Sequence, residues 1–194
     1  MRRFDTLFWK HRNVLAGLPF TFALLSTASE FESEVVIWPL AIALCSLGIA
    51  LRSWGNCHCW YAQRRPMVLT TSGPYAYVRN PLYIGNLLII TGAIVASELI
   101  WFIPVGFLWA FLVYSRVVKY EEDRLLARFG DAFLRYRDQV PKWVPVLRGE
   151  RHGLWIGKGD DHFFAVAMRQ ALNLLILLPF FAKELNLQGL WLHP

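Results

Sequence analysis

Five long apolar blocks limit what this chain can fold into more than any other feature of its sequence. They cover residues 13–27, 35–51, 82–96, 99–118 and 163–181. The longest has about 20 residues, enough for a helix to cross a hydrocarbon core of roughly 30 Å. None of the blocks alternates as a barrel strand would, and lipid offers no partner to an exposed backbone amide. The blocks therefore predict an all-α, polytopic membrane helical bundle with five transmembrane helices.

The positive charges support this interpretation and predict an orientation. Four Lys or Arg residues precede the first block, four lie between the second and third, and ten lie between residues 116 and 158. The opposite connections carry the acidic residues Glu30, Glu32, Glu34 and Glu98. Because cytoplasmic loops are enriched in Lys and Arg, we expect a cytoplasmic N-terminus. The basic start and first apolar block imitate a signal peptide, but we expect the block to be retained as a span.

The same charges account for the basic composition without a nucleic-acid partner. The formal net charge is +6, and orientation together with anionic lipid at the inner leaflet explains it. We therefore expect the membrane, and no nucleic acid, as the partner of this surface. The short turn between the first two blocks predicts that they form an antiparallel pair. The oligomeric state is left open by the sequence.

A short stretch before the third block, residues 70–85, has an unusual density of residues with special backbone properties. Gly73-Pro74 predicts a turn. Asn80 precedes a proline, which disfavours helical backbone angles at Asn80, so a helix should begin at Pro81. The free amides at a helix start suit an anionic group.

The side chains around this helix start indicate a binding site. Arg79 keeps its positive charge at any working pH, and Tyr83 and Gly85 follow near one face of the helix. We expect Gly85 to leave room for a flat ligand. A capped helix start beside an interfacial arginine would explain Arg79 and Pro81, but it leaves the tyrosines and Gly85 unexplained.

A second group of charged residues lies where the fourth span leaves the membrane. Apolar residues at helical spacing predict that this helix continues into the cytoplasm through residues 116–137. Glu121 and Glu122 lie at its exit. Such charges usually form a solvated face, but beside Arg79 this pair is suited to a cationic ligand. Cys57-His58-Cys59 resembles a fragment of a metal site, yet no paired ligands complete it, and we expect no metal.

Several segments together resemble the isoprenylcysteine carboxyl methyltransferase and phospholipid methyltransferase family. The resemblance covers residues 45–147, and it is specific as a combination although each segment alone is weak. The segments are Gly73-Pro74-Tyr75, Arg79-Asn80-Pro81-Leu82-Tyr83-Ile84-Gly85, Glu121-Glu122-Asp123-Arg124-Leu125-Leu126, Phe129-Gly130, Tyr136 and Val140-Pro141.

The resemblance implies a single membrane domain, residues 1–194, that uses S-adenosylmethionine and binds it within residues 70–147. Carried over position by position, it implies that the cofactor is bound by Arg79, Pro81, Tyr83, Gly85, Glu121 and Glu122. It implies that the catalytic residues are Arg79, Asn80 and Glu122. Asn80 stands where the family has a histidine. An asparagine forms hydrogen bonds but does not accept a proton, so the family's mechanism transfers only in part.

The expected reaction is methyl transfer to an amphiphilic acceptor in the membrane, at the cytoplasmic leaflet. A prenylcysteine-like carboxylate needs no base, whereas a phospholipid amine must first lose a proton; a thiol also stays open. In the fifth span, Arg169 and Gln170 lie four and three residues before Asn173, and the three either contact substrate or bind other helices. The glycine-rich stretch 149–161 is predicted to be a lid or a linker.

Two other function classes are compatible with the sequence. One is a membrane oxidoreductase of the sterol-reductase type that uses NADPH, although no second phosphate-binding cluster is evident. The other is a non-catalytic membrane scaffold or carrier, in which the stretch 70–85 only caps a helix. Binding of S-adenosylmethionine separates the three.

Overall fold

The computed structural model describes residues 3–26, 34–63, 68–146 and 161–187. Within these ranges the regular structure is helical, which confirms the all-α class. The helices are α1 (Arg3–Leu25), α2 (Glu34–Gln63), α3 (Pro81–Val95), α4 (Ile103–Phe129), α5 (Asp131–Gln139), α6 (Asp161–Ala171) and α7 (Leu178–Leu187). Short 3-10 helices lie at Gly73–Ala76, Ile100–Phe102 and Leu172–Leu177. The acidic turn at 29–33 and the stretch 149–160 lie outside the described residues.

Three of the described helical segments are long and apolar enough to cross a membrane. They are Val35–Cys59, Ile100–Phe129 and Ala165–Lys183. Helix α3 is apolar but has 15 residues, about 22 Å at the rise of an α-helix. Helix α1 carries charged residues in its first half, so its apolar part begins only at Asn13. The prediction of five spans is therefore not confirmed, although the helices indicate an integral membrane protein.

Glycines allow α2 and α3 to pack closely. A Cβ atom at Gly48 would lie 2.6 Å from the carbonyl oxygen of Gly85, and one at Gly92 would lie 2.7 Å from the Cys45 sulfur. Small residues permit this approach between apolar helices. Helix α1 packs mainly on α4 and not on α2. The predicted pair of the first two spans is thus wrong for the described residues, since α3 takes the place beside α2.

Helix α4 leads out of the bundle toward the polar end of the molecule. Its predicted extension is confirmed as far as Phe129 and is wrong beyond it. Gly130 has φ +52°, a left-handed conformation that glycine adopts at little cost, and the chain turns there into α5. Phe133 and Tyr136 of α5 are buried, and they pack with Leu69, Leu125 and Phe129. This packing folds α5 back over the loop between α2 and α3.

The predicted fifth span, residues 163–181, falls on α6, the 3-10 helix Leu172–Leu177 and the start of α7. The segment is helical as predicted, but it is not one regular α-helix. Helix α6 packs against α2, and its Gln170 contacts Arg52 of α2, whereas its Arg169 is exposed.

Candidate functional site

The loop between α2 and α3 contacts α2 on one side and α5 on the other. Gly73 has φ +61°, and a Cβ atom there would collide with the ring of His58 in α2, so this close approach requires glycine. Tyr75 follows in the 3-10 turn and is buried. Its hydroxyl lies 2.8 Å from the Cys59 sulfur. Its backbone carbonyl accepts a hydrogen bond of 2.8 Å from the Tyr136 hydroxyl of α5.

The end of this loop pairs with the segment that follows α5. The backbone amide of Arg79 donates to the carbonyl of Pro141 at 2.9 Å. The side-chain amide of Asn80 donates to the carbonyl of Lys142 at 3.1 Å and does not cap α3. Helix α3 begins at Pro81, as predicted. Residues 79–80 and 141–142, which are 62 residues apart in the chain, therefore lie side by side and form one wall of the site.

Arg79, Glu122 and Lys142 form a cluster of alternating charge behind this wall. Arg79 Nη2 lies 3.4 Å from Glu122 Oε1, and Lys142 Nζ lies 2.8 Å from Glu122 Oε2. The Arg79 and Glu122 side chains are only 10% and 15% exposed, whereas Lys142 is 34% exposed. Arg79 Nε and Glu122 Oε1 are buried and have no hydrogen-bond partner among the described residues. The cluster thus has two cations for one carboxylate and is incompletely hydrogen-bonded.

Glu121 has quite different surroundings. Its Oε1 accepts hydrogen bonds from the Tyr83 hydroxyl at 2.8 Å and from Trp9 Nε1 at 3.1 Å. The guanidinium groups of Arg12 and Arg124 lie 5.1 and 5.6 Å from the centroid of the Trp9 ring. No ion pair to Glu121 occurs within the described ranges. Glu121 therefore presents a carboxylate that neutral donors position but no direct cation neutralises.

A cavity of about 550 Å³ lies between the start of α3, the exit of α4 and α5. Its volume falls in the range of small-molecule sites. The predicted site residues that line it are Arg79, Asn80, Pro81, Tyr83, Glu121 and Glu122. A second cavity of about 500 Å³ also borders Glu121, between Trp9 and Arg124.

Gly85 is the one predicted site residue that does not line the cavity. A Cβ atom on Gly85 would lie 2.7 Å from the carbonyl oxygen of Gly48 and 2.7 Å from Cγ of Arg52. Helix α2 therefore fills the space that the missing side chain leaves, and the expectation that this space admits a flat ligand is wrong. Residues two apart on a helix point in different directions, so Tyr83 faces the cavity while Gly85 faces α2.

Two tyrosines of the cavity wall, Tyr75 and Tyr136, remain neutral phenols. Burial raises the pKa of Tyr75 well above its usual range, and the neighbouring Cys59 raises it further. Burial also raises the pKa of Tyr136, although the positive charge of Arg79 opposes this effect. Deprotonation of these phenols at physiological pH is therefore strongly disfavoured, and both supply aromatic and polar surface without adding charge.

Sequence reasoning assigned no site role to several residues that border the cavity or contact its carboxylates. They are Trp9, Arg12, Cys59, Tyr75, Arg128, Tyr136 and Lys142. Tyr75 and Tyr136 belong to the motif segments, which is a signal that could have identified them. Trp9 follows the general pattern of an interfacial anchor, and only its contact with Glu121 distinguishes it.

The described residues contain no group of three or more His, Cys, Asp and Glu side chains arranged to hold a metal ion. Cys57, His58 and Cys59 are consecutive residues of α2. Successive side chains of a helix do not face each other. The three side chains therefore do not converge on one point.

Comparison with known proteins finds a matching family profile and several similar proteins. The profile of the phospholipid methyltransferase family matches residues 39–132. The cobalt-zinc-cadmium resistance protein CzcN of Cupriavidus metallidurans is 33% identical over 156 residues, which cover 77% of this chain and 72% of that protein. No solved structure matches the chain.

Two methyltransferases are also similar. The protein-S-isoprenylcysteine O-methyltransferase of Rattus norvegicus is 27% identical over 158 residues, covering 71% of this chain and 55% of that protein. The enzyme of the same name from Schizosaccharomyces pombe is 34% identical over 86 residues, covering 41% of this chain and 34% of that protein. The chain thus spans about half or less of the length of these two methyltransferases.

Proposed function

The chain belongs to the isoprenylcysteine carboxyl methyltransferase and phospholipid methyltransferase family of membrane methyltransferases, and from that premise we propose that it transfers a methyl group from S-adenosylmethionine to an amphiphilic acceptor in the membrane. The observation that carries the proposal is the cavity beside α3 and α4, in which Glu121 has no cationic partner among the described residues. A cavity of this size with one such carboxylate suits a cationic small molecule.

The residues at the cavity fit the charges of this cofactor. A sulfonium and an ammonium are positive, and Glu121 and Glu122 are the carboxylates of the wall. Arg79 Nε and Glu122 Oε1 lack hydrogen-bond partners within the described structure. An amino-acid group carries the complementary charges, a carboxylate for Arg79 and an ammonium for Glu122, and Glu121 would remain for the sulfonium.

When bound, S-adenosylmethionine supplies an electrophilic methyl group. The chain's own residues then have to position the acceptor and exclude water, because methyl transfer depends chiefly on alignment. Arg79 is fixed by Glu122 and by the backbone of Pro141, and Asn80 fixes the segment at Lys142. We assign Arg79 and Glu122 to cofactor contact and Asn80 to positioning, because its amide does not accept a proton.

The acceptor is proposed to enter from the bilayer. The cavity lies where α3 and α4 leave the apolar bundle, so a soluble cofactor would enter from the aqueous side and a lipid tail would lie among the helices. The distribution of Lys and Arg supports a cytoplasmic position for this end. Thiol labelling of an Asp138→Cys variant in sealed, oriented vesicles tests this: labelling only from the cytoplasmic side is expected, and labelling only from the other side would reverse the orientation.

Calorimetric titration of the purified protein with S-adenosylhomocysteine tests the cofactor assignment. We expect saturable binding that is lost in Arg79→Gln and kept in Arg135→Gln, which removes an exposed arginine of α5. Absence of binding at millimolar ligand would overturn the assignment. Binding of NADPH in its place would support a reductase, and binding of neither would support a scaffold. Incorporation of labelled methyl into lipid extracts would then identify the acceptor.

A further inference from the structure

Arg52 is a charged residue inside the helical bundle that the cofactor site does not use. It lies in the segment Val35–Cys59 of α2, which is long and apolar enough to cross a membrane. Its Nε donates a hydrogen bond of 3.0 Å to Oε1 of Gln170 in α6. The side-chain amide of Asn173 donates to the same oxygen at 3.2 Å. Within the described ranges, no carboxylate forms an ion pair with Arg52.

The position of Arg52 is fixed by the glycine crossing between α2 and α3. A side chain on Gly85 would begin 2.7 Å from Cγ and 3.5 Å from Cδ of Arg52. The apolar stem of Arg52 therefore lies against the backbone of α3, as long cationic side chains do on apolar surface. With the stem held by Gly85 and Nε held by Gln170, the guanidinium has little freedom to swing into solvent.

One layer of aromatic side chains separates Arg52 from the cofactor cavity. Tyr114 lies near enough to Arg52 to interact with its charge. The Tyr114 ring lies 5.0 Å from that of Tyr83, whose hydroxyl donates to Glu121. Arg52 also precedes the cavity residue Cys59 by two helical turns, about 10 Å along α2. Arg52 and Gln170 therefore lie one aromatic layer away from the proposed methyl-transfer site, toward the apolar part of α2.

We propose that Arg52 binds the acidic headgroup, a phosphate or a carboxylate, of the membrane acceptor. The two Nη groups form no hydrogen bond with the described residues, and their planar donors match both anions. A permanently charged residue at membrane depth with only a neutral amide partner points to a ligand. Basic pockets between membrane helices bind acidic lipid headgroups in this way. The inference rests on the proposed function, and it restricts the acceptor to anionic amphiphiles.

Matched amphiphiles titrated into the purified protein in a neutral maltoside detergent test this site. The probes are dodecyl phosphate, N-dodecanoylglycine, the uncharged N-dodecanoylglycinamide and inorganic phosphate. We expect at least one acidic amphiphile to bind about tenfold or more tightly than the amide, because a bidentate charge-assisted pair forms only with an anion. The stronger of the two acidic probes identifies the headgroup. Inorganic phosphate binding as tightly as dodecyl phosphate would overturn a membrane ligand.

Three variants separate ligand binding from helix packing. Arg52→Gln should remove the preference for acidic amphiphiles. Gln170→Glu should remove it as well, because it supplies a carboxylate to Arg52 while it strengthens the contact between α2 and α6. Arg169→Gln is the control, since it removes the adjacent exposed arginine and should leave the preference unchanged. Unchanged preference in both Arg52→Gln and Gln170→Glu would overturn the proposal.

S-adenosylhomocysteine binding, measured on the same samples, keeps the two proposals distinct. Arg52→Gln should bind it with wild-type affinity, because Arg52 does not line the cofactor cavity. If the wild-type protein fails to bind it, the methyltransferase assignment is overturned, whereas a preference for acidic amphiphiles that depends on Arg52 still supports the anion site. If binding is normal and no such preference exists, only the anion site is overturned.

Discussion

Glu121 and Glu122 are neighbours in the sequence, yet their carboxylates lie in opposite electrostatic surroundings. Glu122 is flanked by Arg79 and Lys142. Glu121 accepts hydrogen bonds from two neutral donors, Tyr83 and Trp9. A carboxylate between two cations has its charge largely neutralised, whereas one with neutral partners keeps its full attraction for a positive ligand.

The cause of the difference is helical geometry. Successive residues of an α-helix point about 100° apart, so Glu122 faces the segment after α5 while Glu121 faces α1 and α3. Adjacent carboxylates of one motif therefore differ in how much negative charge they offer to a ligand. Substitutions that remove one charge at a time test this difference.

The largest expected effect on stability follows from Glu122→Gln. This change leaves the Arg79 guanidinium, whose side chain is 10% exposed, and the Lys142 ammonium without a counter-ion. Breaking such a buried pair from one side costs about 3 kcal/mol. The thermal unfolding midpoint in detergent should therefore fall by several degrees. A midpoint equal to that of the wild type would show that the cluster does not stabilise the fold.

Glu121→Gln should act on ligand affinity instead. The amide oxygen still accepts from Tyr83 and Trp9, so the unfolding midpoint should change little. Affinity for S-adenosylmethionine should fall about tenfold to hundredfold, which corresponds to roughly 1.4 to 2.7 kcal/mol. Calorimetric titration measures this, with Asp123→Asn as the control because it removes an exposed carboxylate of the same helix. An equal loss in both variants would point to a general charge effect.

Tyr83→Phe should produce a smaller change at the same carboxylate. It removes one of the two hydrogen bonds to Glu121 Oε1 and leaves the bond from Trp9 at 3.1 Å. A typical hydrogen bond contributes about 1 kcal/mol, so ligand affinity should fall roughly fivefold. Titration under the conditions used for Glu121→Gln gives the comparison. If Tyr83→Phe loses as much affinity as Glu121→Gln, positioning of the carboxylate matters more than its charge.

Lys142→Met should have the smallest effect. Lys142 is 34% exposed, and Arg79 remains as the second cation beside Glu122. Partly exposed ion pairs contribute about 0.5 to 1 kcal/mol, and salt screens them. The midpoint should fall slightly, and the difference from the wild type should shrink as salt is added. A fall as large as that of Glu122→Gln would assign the main neutralising role to Lys142.

The helices that position the candidate site could be predicted from local sequence. Pro81 after Asn80 is a local signal for a helix start, and α3 does begin there. The prediction of a helix that continues past Glu122 depends only on periodicity, and it holds until Gly130. The five-span count was not confirmed because apolar blocks report composition alone. Whether a short helix such as α3 spans the membrane depends on its neighbours.

The sequence did not show which side chains contact each other in the fold. Gly85 lies two residues from Tyr83, and nothing local shows that it packs on Gly48 and Arg52. Trp9 and Glu121 are 112 residues apart. Their contact depends on α1 packing against α4, which the short turn between the first two blocks did not indicate.

The sequence by itself determined the helical membrane class, the start of α3 and the residue types of the cavity, because periodicity, proline geometry and charge are local properties. Only the tertiary structure decided which carboxylate is neutralised, that Gly85 makes room for Arg52, and that Arg52 lies beneath the cavity. Those outcomes depend on distances between side chains from different helices, and such distances are set by packing of the whole bundle.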